Sequence, residues 1–195
     1  LDAAFAEIDR CIEVVKEGLE NINVLQKNYI DNLFKSISGE KTILENVTSA
    51  LTCGVAKRPN YTDKGVPFLS ARNVKNGHID LNAKFDFIST KEFNRIKKRC
   101  NPEFDDVLIT CSGTIGRVTS VKINQSFGLV RSVALLKLKK IKINNIFLEN
   151  FLQSYYAKID IKSQLHESSQ ANLFQSQIKK IKIFLPPLPE QQQIA

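Results

Sequence analysis

Residues 1–37 read LDAAFAEIDRCIEVVKEGLENINVLQKNYIDNLFKSI, and the spacing of their apolar side chains decides the architecture. Leu1, Phe5, Ile8, Ile12, Val15, Leu19, Ile22, Tyr29 and Leu33 follow one another in alternating steps of four and three, with Gln26 breaking the row. That rhythm puts them on one stripe of an α-helix, and no proline interrupts it. Such a helix spans about 55 Å at a rise of about 1.5 Å per residue, too long for one small domain to cover. The stripe therefore calls for another helix, from this chain, a second copy or a different subunit. Gln26 in the seam is suited to fixing register at some cost in stability. A helix folded back on its own domain is the competing reading, and the length weighs against it.

Outward from the helix, Ser38 and Gly39 end the periodicity and a mixed body follows. Phe85–Ile88, Asp106–Ile109 and Val133–Leu138 read as strands, and Lys180–Leu185 alternates basic and apolar residues as a half-buried strand does. Ser89-Thr90-Lys91-Glu92 is a capping-box pattern that starts a short helix running from Thr90 towards Lys98. Leu148, Phe151, Leu152, Tyr155 and Ile159 place a further helix over about residues 146–159. Short strands mixed with helices make this an α+β body with a twisted or partly rolled sheet, preceded by a long coiled-coil-type helix. Beyond it, Pro186, Pro187 and Pro189 stiffen an exit. Pro189 suits a first helical position, and Glu190 complements the positive end of the helix dipole. The organisation is thus a helix over 1–38, a body over 42–185, and a proline-rich exit opening a second helix over 186–195.

The 195 residues carry a formal net charge of +8, unevenly spread. Residues 1–37 hold four basic and seven acidic side chains, so the body carries the whole excess. A basic body beside a slightly acidic helix suits a polyanion for the one and a protein for the other, although plain solubilising charge is the bland reading. No apolar run approaches the eighteen or so residues of a membrane span, and no secretory leader opens the chain. Leu1 in place of Met is the start expected of a processed, excised or rearranged piece of a longer protein. Cys11, Cys53, Cys100 and Cys111 form no CxxC pair, and His78 and His166 stand far apart. Dispersed thiols read as ordinary buried residues in a reducing cytoplasm, not as a zinc site.

Enzymatic motifs are missing. Asn101-Pro102-Glu103-Phe104 approaches the Asn/Asp-Pro-Pro-aromatic signature of an adenine methyltransferase, but Glu103 stands where the second proline belongs and no glycine-rich cofactor turn precedes it. It reads as a turn. Ser112-Gly113-Thr114-Ile115-Gly116 lacks the Walker spacing and lysine and reads as a tight hairpin bend. No GxSxG elbow is present. For DNA, the candidates are donors at turn-like positions. Lys57 and Arg58 lie in a basic loop. Arg72, Asn73, Lys75 and Asn76 precede a turn, and Arg and Asn suit bidentate pairing with guanine and adenine. Arg95, Lys97, Lys98 and Arg99 suit phosphates. Ser112, Thr114 and Arg117 belong to the hairpin, and Ser168, Ser169, Gln170 and Asn172 to a polar loop. A solvated surface is the alternative for each.

Several stretches, taken in order, resemble the specificity subunits of type I restriction–modification systems. Leu185–Ile194 resembles the family's boundary between a target-recognition domain and its long helix, and Leu1–Asp9 resembles that helix's opening. Between them, Gly65–Val74, Asp105–Arg117 and Ser168–Leu173 resemble the recognition domain's strand and turn, central hairpin and late loop. The resemblance implies a non-catalytic subunit that binds double-stranded DNA. Two recognition domains each read half of a split target, and paired helices set the gap between the halves. It implies modification subunits that bind S-adenosylmethionine and methylate adenine at N6, with none of that cofactor in this chain. A restriction subunit for ATP-dependent cleavage is a further associate. With one such domain, this chain has to dimerise through Phe5, Ile8, Ile12, Val15, Leu19, Ile22, Tyr29 and Leu33, or be a fragment of a two-domain subunit. Against these expectations stand a freestanding methyltransferase or nuclease, and a coiled-coil assembly protein with no role on DNA.

Overall fold

The computed structural model describes residues 2–37, 39–165 and 172–195. Its first element, α1 (Asp2–Ser36), is one unbroken helix of 35 residues, about 50 Å long at about 1.5 Å per residue. Every large apolar side chain on it from Phe5 to Tyr29 is exposed, Phe5 at 58% and Tyr29 at 69%. Contact with the body begins only at Ile30 and Phe34, which are 7% and 5% exposed. The four-three spacing puts Tyr29 and Leu33 on the seam and leaves this pair off it. Ile30 and Phe34 lie about a third of a turn round from Tyr29 and Leu33, so the last two turns bury a different stripe from the one left open. The Phe34 ring meets Phe147 and Phe151 edge-on, with centroids 5.6 and 5.3 Å apart.

Among the described residues, three sheets form the body. β1 (Glu40–Ile43) pairs antiparallel with β10 (Lys182–Leu185), joining the two ends of the domain as a ribbon. A central antiparallel sheet has the order β2-β9-β6-β7, made from Thr48–Cys53, Val133–Leu138, Val107–Thr110 and Val118–Ser120. A second sheet has the order β3-β5-β4-β8, made from Tyr61–Thr62, Asp86–Ile88, Val66–Leu69 and Gly128–Leu129, with β4 and β8 parallel.

The central sheet is covered on both faces, which is why β6 reads as an unbroken apolar run. Val107, Ile109, Ala134 and Leu136 face the helices, among Phe147, Phe151 and Ile161. Their alternates Leu108, Val133 and Leu135 face the second sheet, among Leu69, Phe127 and Leu129. The helix side is built by α2 (Leu44–Val47), α4 (Asn145–Gln153), α5 (Tyr155–Gln164) and α6 (Gln175–Lys179). On the second sheet, α3 (Thr90–Ile96) packs Phe93 and Ile96 against Phe68 and Ile88.

The single helix expected near residues 146–159 is two. Ser154 leaves the helix with extended backbone and its hydroxyl caps Ala157, while Asp31 of α1 accepts from the Tyr155 N–H at 2.6 Å. Helix α5 thus starts with caps from two segments, one of them the long helix. Ser89 caps α3 as its sequence indicates, through the Glu92 N–H at 3.2 Å, but the Glu92 carboxylate turns to Arg95 and leaves the box half-made. At the exit, α7 (Leu188–Ile194) has Pro189 in its first turn. Gln191 is fully buried there, donating to the Pro186 and Lys142 carbonyls and accepting from the Asn144 N–H. Among the described residues, no helix is long and apolar enough to cross a membrane.

Candidate nucleic-acid interface

Antiparallel pairing sends a series of loops to one end of the body. β2 finishes at Cys53 opposite Ala134, near the start of β9. β6 finishes at Thr110 opposite Val133, and β7 starts at Val118 opposite Ile109. In the second sheet β4 and β8 run parallel and finish together at Leu69 and Leu129. The segments 54–60, 70–76, 111–117 and 130–132 all leave or enter strands at this end, and hydrogen bonds lash them together. Arg131 N–H donates to the Val55 carbonyl at 3.0 Å, Cys111 N–H to Ser132 at 2.7 Å, and Ala71 N–H to the Ser132 hydroxyl at 3.1 Å. Gly54 permits the first of these approaches: a Cβ there would stand 2.1 Å from the Leu129 carbonyl oxygen. Gly113 and Gly116, both at positive φ, shape the 111–117 hairpin bend that the sequence indicated. The 97–101 segment joins through the fully buried Cys100, and Leu173 N–H donates to the Cys111 carbonyl.

The segments that form this end carry charge of one sign. The five segments 54–60, 70–76, 97–101, 111–117 and 130–132 contain Lys57, Arg58, Arg72, Lys75, Lys97, Lys98, Arg99, Arg117 and Arg131, and no Asp or Glu. The arginines divide sharply. Arg10 pairs with Glu7 and Arg95 with Glu92. Arg58, Arg72, Arg99, Arg117 and Arg131 make no ion pair or side-chain hydrogen bond among the described residues, and all five lie in these segments. At the other end of the same strands two of the cations are spent on carboxylates. Lys137 sits between Glu103 at 2.7 Å and Asp106 at 2.9 Å, and Lys140 pairs with Asp105. The Lys137 ammonium holds the Glu103 carboxyl below its usual range, while burial pushes Asp106 up. A guanidinium left without a carboxylate keeps its five donors for an outside anion.

The expected contact residues do not all serve alike. Lys57, Arg58, Arg72, Lys98, Arg99 and Thr114 are exposed on the loop end, and Ser112, Arg117 and Asn172 are half-buried there. Asn73 must be corrected. It is fully buried, its amide oxygen accepting from Ser70 N–H and its nitrogen donating to the Asp80 and Ala83 carbonyls. It shapes the loop that presents Arg72 and cannot reach a base. Asn76 likewise gives its amide oxygen to Val118 N–H, pinning the same loop to β7. Arg95 is held by Glu92 through two hydrogen bonds of 3.1 and 2.6 Å and leaves the set of free cations. Lys97 lies over the Phe93 ring, and Lys75 stands 3.8 Å from Asp80. Ser168, Ser169 and Gln170 lie outside the described residues.

Sequence reasoning missed Arg131. Its signal was faint: a single cation between the apolar runs of Leu129-Val130 and Val133-Ala134-Leu135. In the fold it lines a cleft of about 500 Å³ with Arg99, Ser112, Asn172, Phe174 and Gln175. Cys53 and Cys111 line the same cleft. A hydrogen bond from Cys111 lowers the Cys53 thiol to about 6, and the same contact pushes Cys111 up. Strand β9 runs between their strands, with Ala134 paired to both Cys53 and Ile109, so their backbones stand too far apart for a disulfide. Cys11, expected to be buried, is exposed on α1.

Comparison with known proteins supplies the remaining findings. The model of the type I restriction modification DNA specificity domain matches residues 40–195. The chain is 26% identical over 157 residues to the type I restriction enzyme EcoBI specificity subunit of Escherichia coli, covering 79% of this chain and 33% of that protein. Among solved structures it resembles a chain from work on complex assembly and conformational transition of the type I R-M system. The TM-score there is 0.64 at 16% identity, over 99% of this chain and 47% of the other. It also resembles the HsdS subunit of Thermoanaerobacter tengcongensis, with a TM-score of 0.59 at 16% identity over 99% and 46%. The chain therefore spans about a third of the curated relative and just under half of each of these solved chains.

Proposed function

From the premise that the chain belongs to the type I restriction modification DNA specificity domain family, we propose that its loop end reads one half of a split double-stranded DNA target while α1 recruits the subunits that act on it. One observation carries the DNA half of this reading: among the described residues, every arginine without a carboxylate partner lies in the five loop-end segments, which contain no Asp or Glu. Scattered solubilising charge would not sort itself by end and by pairing. The second half rests on α1, whose apolar stripe is laid out for another helix and is uncovered as far as Tyr29. A chain that occupies just under half of a solved relative leaves room for a second unit of the same kind, supplied by another copy or by the rest of a longer protein.

In this reading the chain catalyses nothing. Adenine-N6 methylation, and the S-adenosylmethionine it consumes, belong to a partner modification subunit in the cytoplasm, and a restriction subunit joins the same assembly. The coiled-coil alternative accounts for α1 but leaves the free arginines without a purpose. A freestanding enzyme would need turnover by the purified chain alone.

Salt titration of duplex binding tests the reading. Log affinity should fall linearly with log salt at a slope of about −0.9 per phosphate neutralised, hence about −4 to −5 if roughly five of the nine loop-end cations engage. A slope near zero in fluorescence anisotropy contradicts the proposal.

A further inference from the structure

We propose that Arg131 is the base-reading arginine of this interface, taking the O6 and N7 edge of a guanine in the major groove. The inference rests on the DNA-binding reading above and adds to it a residue, a base and a groove.

Reading a base differs physically from holding a phosphate. A phosphate has oxygens on several sides and accepts a long, mobile cation from many directions. A guanine edge offers two acceptors at fixed spacing, and only a guanidinium held in a defined place meets both at once. The two tasks therefore select for different mountings, and the loop-end cations are mounted differently. Lys98 and Arg99 follow the last turn of α3, and Lys57 and Arg58 precede Pro59 in a stretch outside any strand.

Arg131 instead occupies a tight turn where the two four-stranded sheets meet. Before it, Val130 N–H donates to Leu69 at 2.9 Å, and after it, Val133 N–H closes the turn on Val130 at 3.0 Å. Its own N–H donates to Val55 at 3.0 Å. The next residue, Ser132, receives Cys111 N–H on its carbonyl and Ala71 N–H on its hydroxyl. Three neighbouring loops thus tie their backbones to a turn of two residues. Such anchoring on rigid elements is what a recognition side chain requires.

The side chain at this anchored point is uncommitted. It is exposed and has no carboxylate partner or hydrogen bond among the described residues. It opens on the cleft shared with Arg99, Ser112 and Gln175, so its neighbours offer further donors, and none of the described residues that line the cleft is acidic. The five loop-end segments hold no carboxylate to accept from cytosine N4, the usual acidic contact. Arginine reading of guanine is the direct readout this end is equipped for.

The test uses the full chain and the duplex that the unmodified chain prefers from a randomised pool. Each guanine in that duplex is replaced singly by 7-deazaguanine, which pairs normally but lacks the N7 acceptor. At one position the unmodified chain should lose about 3- to 10-fold in affinity, roughly half in free energy of one good bidentate contact, because O6 remains. Arg131→Ala should lose about 10- to 100-fold on unmodified DNA, the range of the whole contact, and show no further loss from that deazaguanine. Arg131→Lys keeps the charge, and should keep the salt slope while losing the preference at that base pair. Arg131 is exposed, and circular dichroism checks that both variants fold.

The proposal is overturned if no deazaguanine couples to Arg131, or if Arg131→Ala weakens all duplexes equally, as loss of a phosphate contact does. Absence of any preferred duplex for the unmodified chain overturns the DNA-reading proposal itself, which keeps the two failures apart.

Discussion

Phe5→Glu, Ile12→Glu and Leu19→Glu introduced together are expected to abolish self-association and partner capture through α1 while leaving the body folded. The three residues follow one another at seven-residue intervals on the open stripe, and all are about half exposed or more in the single chain. Covering an apolar side chain of this size contributes about 1.5–3 kcal/mol. Loss of three such contacts amounts to roughly 5–9 kcal/mol before the cost of desolvating three carboxylates is counted. An assembly of micromolar or even nanomolar strength does not survive that change, since each 1.4 kcal/mol or so is a factor of ten. The body should not register the change, because α1 touches it only from Ile30 onward. Light scattering reports the mass of the particle and thermal unfolding reports the body. Persistence of the larger particle would mean that the helix is not the joint; a large fall in unfolding temperature would mean that it is part of the domain core.

Replacing Arg58, Arg72, Lys98 and Arg99 together with alanine should remove most DNA affinity at moderate salt. If each neutralises a phosphate, the slope of log affinity against log salt becomes shallower by about 3 to 4. Extrapolated from about 1 M salt, where this contribution vanishes, that difference is about a thousandfold at about 0.15 M. None of the four side chains makes a hydrogen bond or ion pair in the described structure, so stability should change little. The matched control is Lys137, Lys139 and Lys140 to alanine at the other end of the strands. That variant removes three cations, two of them already paired with Glu103, Asp106 and Asp105, and should leave binding within a few-fold. Equal losses in both variants would reduce the interface to overall charge.

Much of the plan was legible in the residues because periodicity survives without tertiary knowledge. The four-three spacing from Leu1 gave a long helix, observed over Asp2–Ser36, and the capping pattern at Ser89 gave the start of α3. The ordered resemblance to the specificity subunits is matched by the family found over residues 40–195. What stayed hidden depends on partners distant in sequence. Ile30 and Phe34 look like ordinary interruptions of the stripe until α4 is placed beneath them. The two-residue strands β3 and β8 are too short to alternate, and β6 does not alternate because both its faces are covered. Ser154 breaks a helix whose apolar pattern runs straight through the break.

The site followed the same rule. Residue type identified donors at turns, yet could not tell which were spent. Asn73 and Arg72 are neighbours, one fully buried and one exposed, and only the folded loop distinguishes them. Arg95 and Arg99 share a basic run, but Glu92 lies one helical turn before the first and no carboxylate accompanies the second. Arg131 was marked only by Ser132 beside it, and the anchoring of its turn comes from hydrogen bonds with three other loops.

The most direct measurement is a binding selection from a pool of fully randomised duplexes at about 0.15 M salt, sequencing what the intact chain retains. The division of labour argued here predicts a short set of fixed base pairs, carried by every enriched molecule and lost when the loop-end arginines are replaced. A retained pool as random as the starting one would leave the body a basic surface with nothing to read, and the account would be wrong at its centre.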